Sequence, residues 1–232
     1  MATVLITGTN SGIGKALAEA YLQLGWRVYG LGRRAESAIR HERFHYLSLD
    51  LRATERIAPS LAEYLRGLEK LELAVLNAGV LGEIRDMADT PLYAIEEVMS
   101  VNVWANKVIL DTLNMRKIRV DQVVGISSGA AVNASKGWGA YSLSKASLNM
   151  LLKLYSREMP ETHITALAPG VVDTPMVRHI TEEVDERRYP SAARLKNGPI
   201  QRPEEAAKRL MEAFEKVKKY ESGSFLDVRT ME

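Results

Sequence analysis

The chain has 232 residues, 46% hydrophobic and 26% charged, which suits one domain with a full core. Its 31 basic side chains against 29 acidic ones leave a formal charge of +2, too balanced for a nucleic-acid tract or a membrane-surface patch. The absence of cysteine excludes disulfides, thiolate zinc sites and a catalytic thiol.

Short apolar runs alternate with longer amphipathic ones. "TVLIT" (3–7) predicts a buried strand, and "IGKALAEAYLQLG" (13–25) predicts an amphipathic helix closed by Gly25. Strands are expected at 27–32 and 44–51, a helix at 57–68, and a strand over 71–79 that runs into a turn. One long helix pattern covers 93–113. A strand at 122–128, a long helix at 140–159 and a strand and turn at 163–170 follow. A helix at 203–219, with Pro203 at its first position, and a short strand at 223–228 complete the order. Strands that are apolar throughout, each followed by a helix, predict an α/β fold, a doubly wound sheet that is mostly or wholly parallel. A single domain over 1–232 is expected. The polar stretch 175–201, broken by Pro190, Gly198 and Pro199, reads as a substrate lid or as a solvated loop with one short helix. No run approaches the ~20 apolar residues of a membrane helix. No signal segment is apparent, so a cytoplasmic protein is expected.

The first strand runs into "TGTNSGIG". Gly8, Gly12 and Gly14, with Asn10, Ser11 and Ile13 among them, form a turn at a helix N-terminus, where free N–H groups welcome a pyrophosphate. A carboxylate at the end of the second strand would bind the adenosine ribose. "GLGRR" has Gly32 there instead, then Arg33 and Arg34, whose guanidiniums suit a 2′-phosphate. NADP(H) is therefore expected before NAD(H), unless both arginines are merely solvated. Asp50, followed by Leu51, ends the third strand and can accept from an adenine amino group or cap the next helix. Asn77, Ala78 and Gly79 make a turn near the ligand crevice.

In "GAYSLSKAS", Tyr141 and Lys145 share one helix face. A phenol is a poor acid at neutral pH, and a neighbouring ammonium stabilises the tyrosinate and lowers its pKa. Ser128 ends the preceding strand, where its hydroxyl can meet a substrate oxygen. Alternation along a strand sets Ser127 aside.

"TGTNSGIG", "NAG", "SS" at 127–128, "YSLSK" and "PGVVDT" stand in the order and spacing of the short-chain dehydrogenase/reductase family, which the chain resembles over nearly its whole length. "KGW" before the tyrosine and "APGVVDTPM" are similar to the sepiapterin reductase and benzil reductase-like branch, whose members are NADPH-dependent carbonyl reductases. The resemblance implies a Rossmann-like domain with strand order 3-2-1-4-5-6-7 and hydride transfer between a nicotinamide cofactor and a carbonyl or alcohol. It implies Tyr141 as general acid, Lys145 as its modulator and ribose ligand, Ser128 as oxyanion partner, and Asn102 as a helix-interrupting residue that holds a relay water. Pro169 and Gly170 would shape the turn beneath the nicotinamide. The Val172 backbone and the Thr174 hydroxyl would meet its carboxamide, and Asp173 could be a helix cap instead of a contact.

Ala130, Val132, Trp138, Met176 and Val177 adjoin these motifs and would form an apolar pocket for a ketone, aldehyde or diketone. Trp138 could equally pack the helix start. The histidines at 41, 45, 163 and 179 show no ligand spacing, and no metal is expected. In the family, the helices at 93–113 and 140–159 commonly pair with their copies, so a homodimer or homotetramer is expected, with a small-molecule substrate and no nucleic acid or membrane partner. Alternative functions are an alcohol dehydrogenase acting oxidatively with NAD(P), or a catalytically silent NADP(H)-sensing protein.

Overall fold

The computed structural model describes residues 1–231. Seven strands form one sheet: β1 (Thr3–Thr7), β2 (Arg27–Gly32), β3 (Phe44–Ser48), β4 (Leu73–Leu76), β5 (Gln122–Ile126), β6 (His163–Ala168) and β7 (Phe225–Asp227). Their spatial order is β3-β2-β1-β4-β5-β6-β7, and every neighbouring pair is parallel. A separate two-residue ladder joins Lys70–Leu71 to Arg119–Val120. The helices are α1 (Gly12–Gln23), α2 (Thr54–Tyr64), α3 (Leu92–Met99), α4 (Ala105–Met115), α5 (Gly139–Glu158), α6 (Pro175–Glu183), α7 (Pro190–Asn197) and α8 (Pro203–Lys216).

β1 shows why the strands carry no polar alternation. Val4 and Ile6 pack with Leu17 and Leu22 of α1 and with Leu210 and Phe214 of α8. Leu5, between them, packs on the other face with Ile57 and Leu61 of α2, Ile109 of α4 and Leu152 of α5. Successive side chains point to opposite faces, so a strand covered on both sides needs an apolar residue at each position. α1 ends at the predicted glycine. Gly25 has φ +81, its N–H donates to the Leu22 carbonyl at 2.9 Å, and the Trp26 N–H donates to the Tyr21 carbonyl at 3.0 Å. Those two bonds satisfy carbonyls that the helix end would otherwise leave bare.

Two expectations change. The helix expected over 93–113 is broken by a wider π-type turn at Ser100–Trp104, between α3 and α4. The cause is Asn102, which is fully buried in that turn. Its Oδ1 accepts from the Val80 N–H at 2.8 Å, and its Nδ2 donates to the Val80 carbonyl and to Ser144 Oγ, each at 2.9 Å. A buried amide must find partners, and local rewinding lets this one reach β4's exit and α5 together. The second change is at 175–201, which holds two helices, α6 and α7, where a loop with one short helix was the plainer expectation. No described helix is long and apolar enough to cross a membrane.

From β1 the chain order runs outward in both directions, to β2 on one side and β4 on the other. The loops at the carboxyl ends of these strands part there and leave a crevice.

Candidate functional site

A cavity of about 960 Å³ runs across the carboxyl ends of the strands. At one end it meets the turn into α1. Gly8 (φ +78) and Gly12 (φ +54) hold left-handed backbone that side chains disfavour, and a Cβ on Gly12 would sit 2.8 Å from Thr174 Cγ2. Gly8, Asn10, Ser11, Gly12 and Ile13 line the cavity. Gly14 does not: a Cβ there would overlap the Gly8 carbonyl oxygen and Asn77 Nδ2, so its role is close packing inside the turn and not approach to a ligand.

Arg33, Asp50, Leu51, Asn77, Ala78 and Gly79 also line the cavity. Arg34 is exposed and lies outside it. Its backbone N–H contacts Asn10 Oδ1 at 3.4 Å, and its carbonyl accepts from the Tyr46 hydroxyl at 2.8 Å. A side chain at Gly32 would overlap Asn10 Oδ1 and lie 2.8 Å from the Tyr46 hydroxyl, so both would have to move to admit one. Asp50 does not cap α2, whose N-cap is Ala53. Arg52 instead holds the Asp50 carboxylate through a 2.6 Å Nη2 bond and keeps it below the usual carboxylate range.

At the other end, α5 brings Tyr141 and Lys145 to the cavity, both buried. Lys145 Nζ donates to the Ile126 carbonyl at 2.8 Å and lies 5.7 Å from the Tyr141 ring centroid. Burial lowers Lys145 to about 8 and raises Tyr141 to about 12, with the Ser128 hydroxyl pulling the phenol back down. The expected lowering of Tyr141 is therefore reversed. Desolvation of the phenol dominates, and the ammonium is directed at a backbone carbonyl. Ser128 lines the cavity and accepts from the Ala130 N–H at 3.1 Å. The Ser127 hydroxyl donates to Asn149 Oδ1 at 2.6 Å and is occupied there.

Asn102 is outside the cavity lining. It faces the site indirectly: a Cβ on Gly79 would lie 3.2 Å from Asn102 Oδ1 and 3.6 Å from Lys145 Nζ, so both atoms border the same bare spot. Pro169, Gly170, Val172 and Thr174 line the cavity. Thr174 caps α6, its Oγ1 accepting from the Val177 N–H at 3.2 Å. Asp173 is not that cap and pairs with Arg178, Nε to Oδ1 at 2.6 Å.

Ala130, Trp138, Met176 and Val177 line the far end. Val132 does not, being 69% exposed beyond the cavity. Trp138 fits both of its readings. It packs at the start of α5, 6.1 Å from the Tyr141 ring, and its Nε1 donates to Ser191 Oγ of α7 at 2.5 Å. Two further bonds fasten this segment to the body, Arg194 Nη2 to Ser135 Oγ at 3.1 Å and Arg188 Nη2 to Asp86 Oδ2 at 3.2 Å. Sequence reasoning missed Ser135, Ser191, Arg194, Gln201, Arg209 and Arg229, all in the lining. Arg229 had a usable signal, since it lies just past the carboxyl end of a parallel strand. Ser191 and Arg194 had none, because no motif marks where a two-helix insertion folds back. Among the described residues no group of three or more acidic or histidine side chains is arranged to hold a metal.

A family model described as short chain dehydrogenase matches residues 2–185. An uncharacterized oxidoreductase of Schizosaccharomyces pombe is 33% identical over 182 residues, 75% of this chain and 72% of its own length. A benzil reductase ((S)-benzoin forming) of Bacillus cereus is 29% identical over 203 residues, 80% of this chain and 82% of its own. A crystal structure of a short chain dehydrogenase/reductase from Saccharomyces cerevisiae has the same fold, with TM-score 0.83, 23% identity, and coverage of 98% of this chain and 96% of that one.

Gly137, at φ +88, lies against the start of α7, and a Cβ there would approach Tyr189 Cδ1 to 2.5 Å. Gly137→Ala is expected to lift this insertion. Amide hydrogen exchange should quicken across 186–197 while the sheet stays protected. Unchanged exchange in 186–197 would mean that the contact does not hold the segment down.

Proposed function

The chain belongs to the short-chain dehydrogenase family, and on that footing we propose that it reduces a ketone, aldehyde or diketone to an alcohol with NADPH, Tyr141 acting as general acid. The observation that carries the reading is the convergence of Ser128, Tyr141 and Lys145 at one end of a cleft whose other end is a glycine cradle at a helix N-terminus. The residues present suit the dinucleotide. Gly8 and Gly12 leave bare backbone at the positive end of α1 for a pyrophosphate, and Asp50, in the cavity lining, would accept from an adenine amino group. The bound cofactor supplies the hydride.

Ser128 donates to the carbonyl oxygen and stabilises the negative charge that develops on it. Tyr141 then gives that oxygen its proton. With its pKa pushed up to about 12, the phenol is fully protonated at neutral pH. An alkoxide is a far stronger base than a phenolate, so the transfer runs downhill. The Lys145 ammonium stabilises the phenolate left behind. A water in the bare spot beside Gly79 would bridge Lys145 Nζ and Asn102 Oδ1, whose second lone pair is free, and so return a proton. The 175–201 segment serves as the substrate lid, and with Trp138 it keeps bulk water from the reacting oxygen.

NADPH is favoured by the glycine at position 32, which offers no carboxylate for a ribose diol, and by Arg33 in the lining next to it. The same residues can run the reaction oxidatively; reduction is favoured here because the phenol rests in the protonated form that reduction uses. A silent sensor would have no use for a buried lysine held on a carbonyl beside a buried tyrosine. Exposed Leu143, Met150 and Leu154 along α5 support the homo-oligomer reading.

Tyr141→Phe should lower carbonyl-dependent NADPH oxidation by about a hundredfold or more while NADPH still binds. Wild-type turnover in that variant would sink the mechanism. Lys145 is charged below about 8 and neutral above it, so kcat/KM for reduction should hold at neutral pH and fall as pH rises through about 8. A flat profile to pH ~10 would remove Lys145 from the chemistry. Arg33→Ala should raise KM for NADPH far more than for NADH, and equal effects would refute the 2′-phosphate assignment.

A further inference from the structure

The charged lining of the substrate end has one sign. Lys145, Arg194, Arg209 and Arg229 border the cavity, while the one carboxylate in its lining, Asp50, lies at the opposite end with Arg33. Lys145 is accounted for by the reaction. Arg209 and Arg229 are not.

Arg229 is held in place. Its Nε and Nη2 donate to the two oxygens of Asp227 at 2.9 and 2.6 Å, and its backbone N–H donates to Asp227 Oδ1 at 2.9 Å. That pairing orients the guanidinium and leaves Nη1 and one N–H of Nη2 free to donate. The group lies across the catalytic end. A Cβ on Gly129, the residue after Ser128, would be 3.7 Å from Arg229 Nη2 and 3.3 Å from Asn133 Nδ2. A Cβ on Gly170 would be 3.6 Å from Arg229 Cδ. Both neighbours are glycines, so no side chain of theirs screens the guanidinium from the space beside Ser128. Arg209 donates to Gln201 Oε1 at 3.3 Å and to the Val228 carbonyl at 2.9 Å, and makes no ion pair among the described residues. Two guanidiniums against the single carboxylate of Asp227 leave a net positive charge at this end of the cavity. Arg229 is open to solvent, its side chain 54% exposed, so its free N–H groups are accessible to an anion that enters the cavity.

We propose that the substrate is an oxo acid, its carboxylate bound by Arg229 with Asn133 as a second donor and its carbonyl oxygen on Ser128 and Tyr141. This inference rests on the reductase reading. The carboxylate takes no part in the reduction and is carried unchanged into a hydroxy acid. The planar fork of Arg229 matches a carboxylate, and the reach from Gly129 to Ser128 calls for a short chain between the two groups.

The test is NADPH oxidation with 2-oxobutanoate, 3-oxobutanoate and 3-oxopentanoate, each beside its methyl ester, which keeps the carbonyl and removes the charge. The wild type should favour at least one free acid over its ester by about tenfold or more in kcat/KM, the effect of a charge-assisted pair. Arg229→Gln should raise KM for that acid and bring the acid-to-ester ratio towards one, and Arg229→Lys should restore part of it. Equal use of acid and ester by the wild type overturns the inference, as does an Arg229→Gln variant with an unchanged ratio. Turnover of neutral α-diketones with none of any oxo acid overturns it while the reductase reading stands. No turnover of any carbonyl overturns both.

Discussion

The site depends on a buried ammonium. Lys145 sits on α5 with its Nζ held by the last carbonyl of β5, in surroundings that lower its affinity for a proton. The carbonyl fixes where the charge lies, and the low dielectric makes that charge act strongly on whatever forms beside it. The neighbouring phenol, the bare spot at Gly79 and the opening towards Ser128 are arranged around this one group. α5 can supply it because Leu148 and Leu152, one and two turns on, anchor the same face in the core below.

The fold was legible because its physics is repetitive. Apolar strands followed by amphipathic helices leave few alternatives to a parallel sheet, and the order and direction of the seven strands agree with what the resemblance implied. The α1 terminus was legible down to Gly25. The break at Asn102 was not readable from periodicity, because a π-type turn keeps the apolar pattern and differs only in which backbone groups pair. The resemblance supplied what periodicity lacked there.

The site was legible where motifs lie in strand-end turns, and less so elsewhere. Gly14 and Arg34 stood next to the right residues yet lie outside the cavity, one packed inside the turn and the other turned to solvent. Val132 failed for a similar reason, since adjacency in sequence says little at the exposed end of a short helical turn. The expected pocket was apolar, and the cations from α7, α8 and the segment after β7 came from parts of the chain far from any motif. Tertiary folding alone brings them to the cleft.

Burial of Lys145 also makes the stability of the fold depend on pH. Its proton affinity is about 8 in the fold and 10.5 in the open chain. Below pH 8 both states hold the proton, and the fold bears the full cost of a desolvated ammonium, roughly 3 kcal/mol. Between 8 and 10.5 the unfolded chain binds more protons, so the fold gains stability from this group as the pH rises. Tyr141 opposes that gain only at higher pH, because its proton is lost more readily in the open chain than in the fold. In mildly alkaline solution this group thus adds to stability just as the ammonium itself is lost.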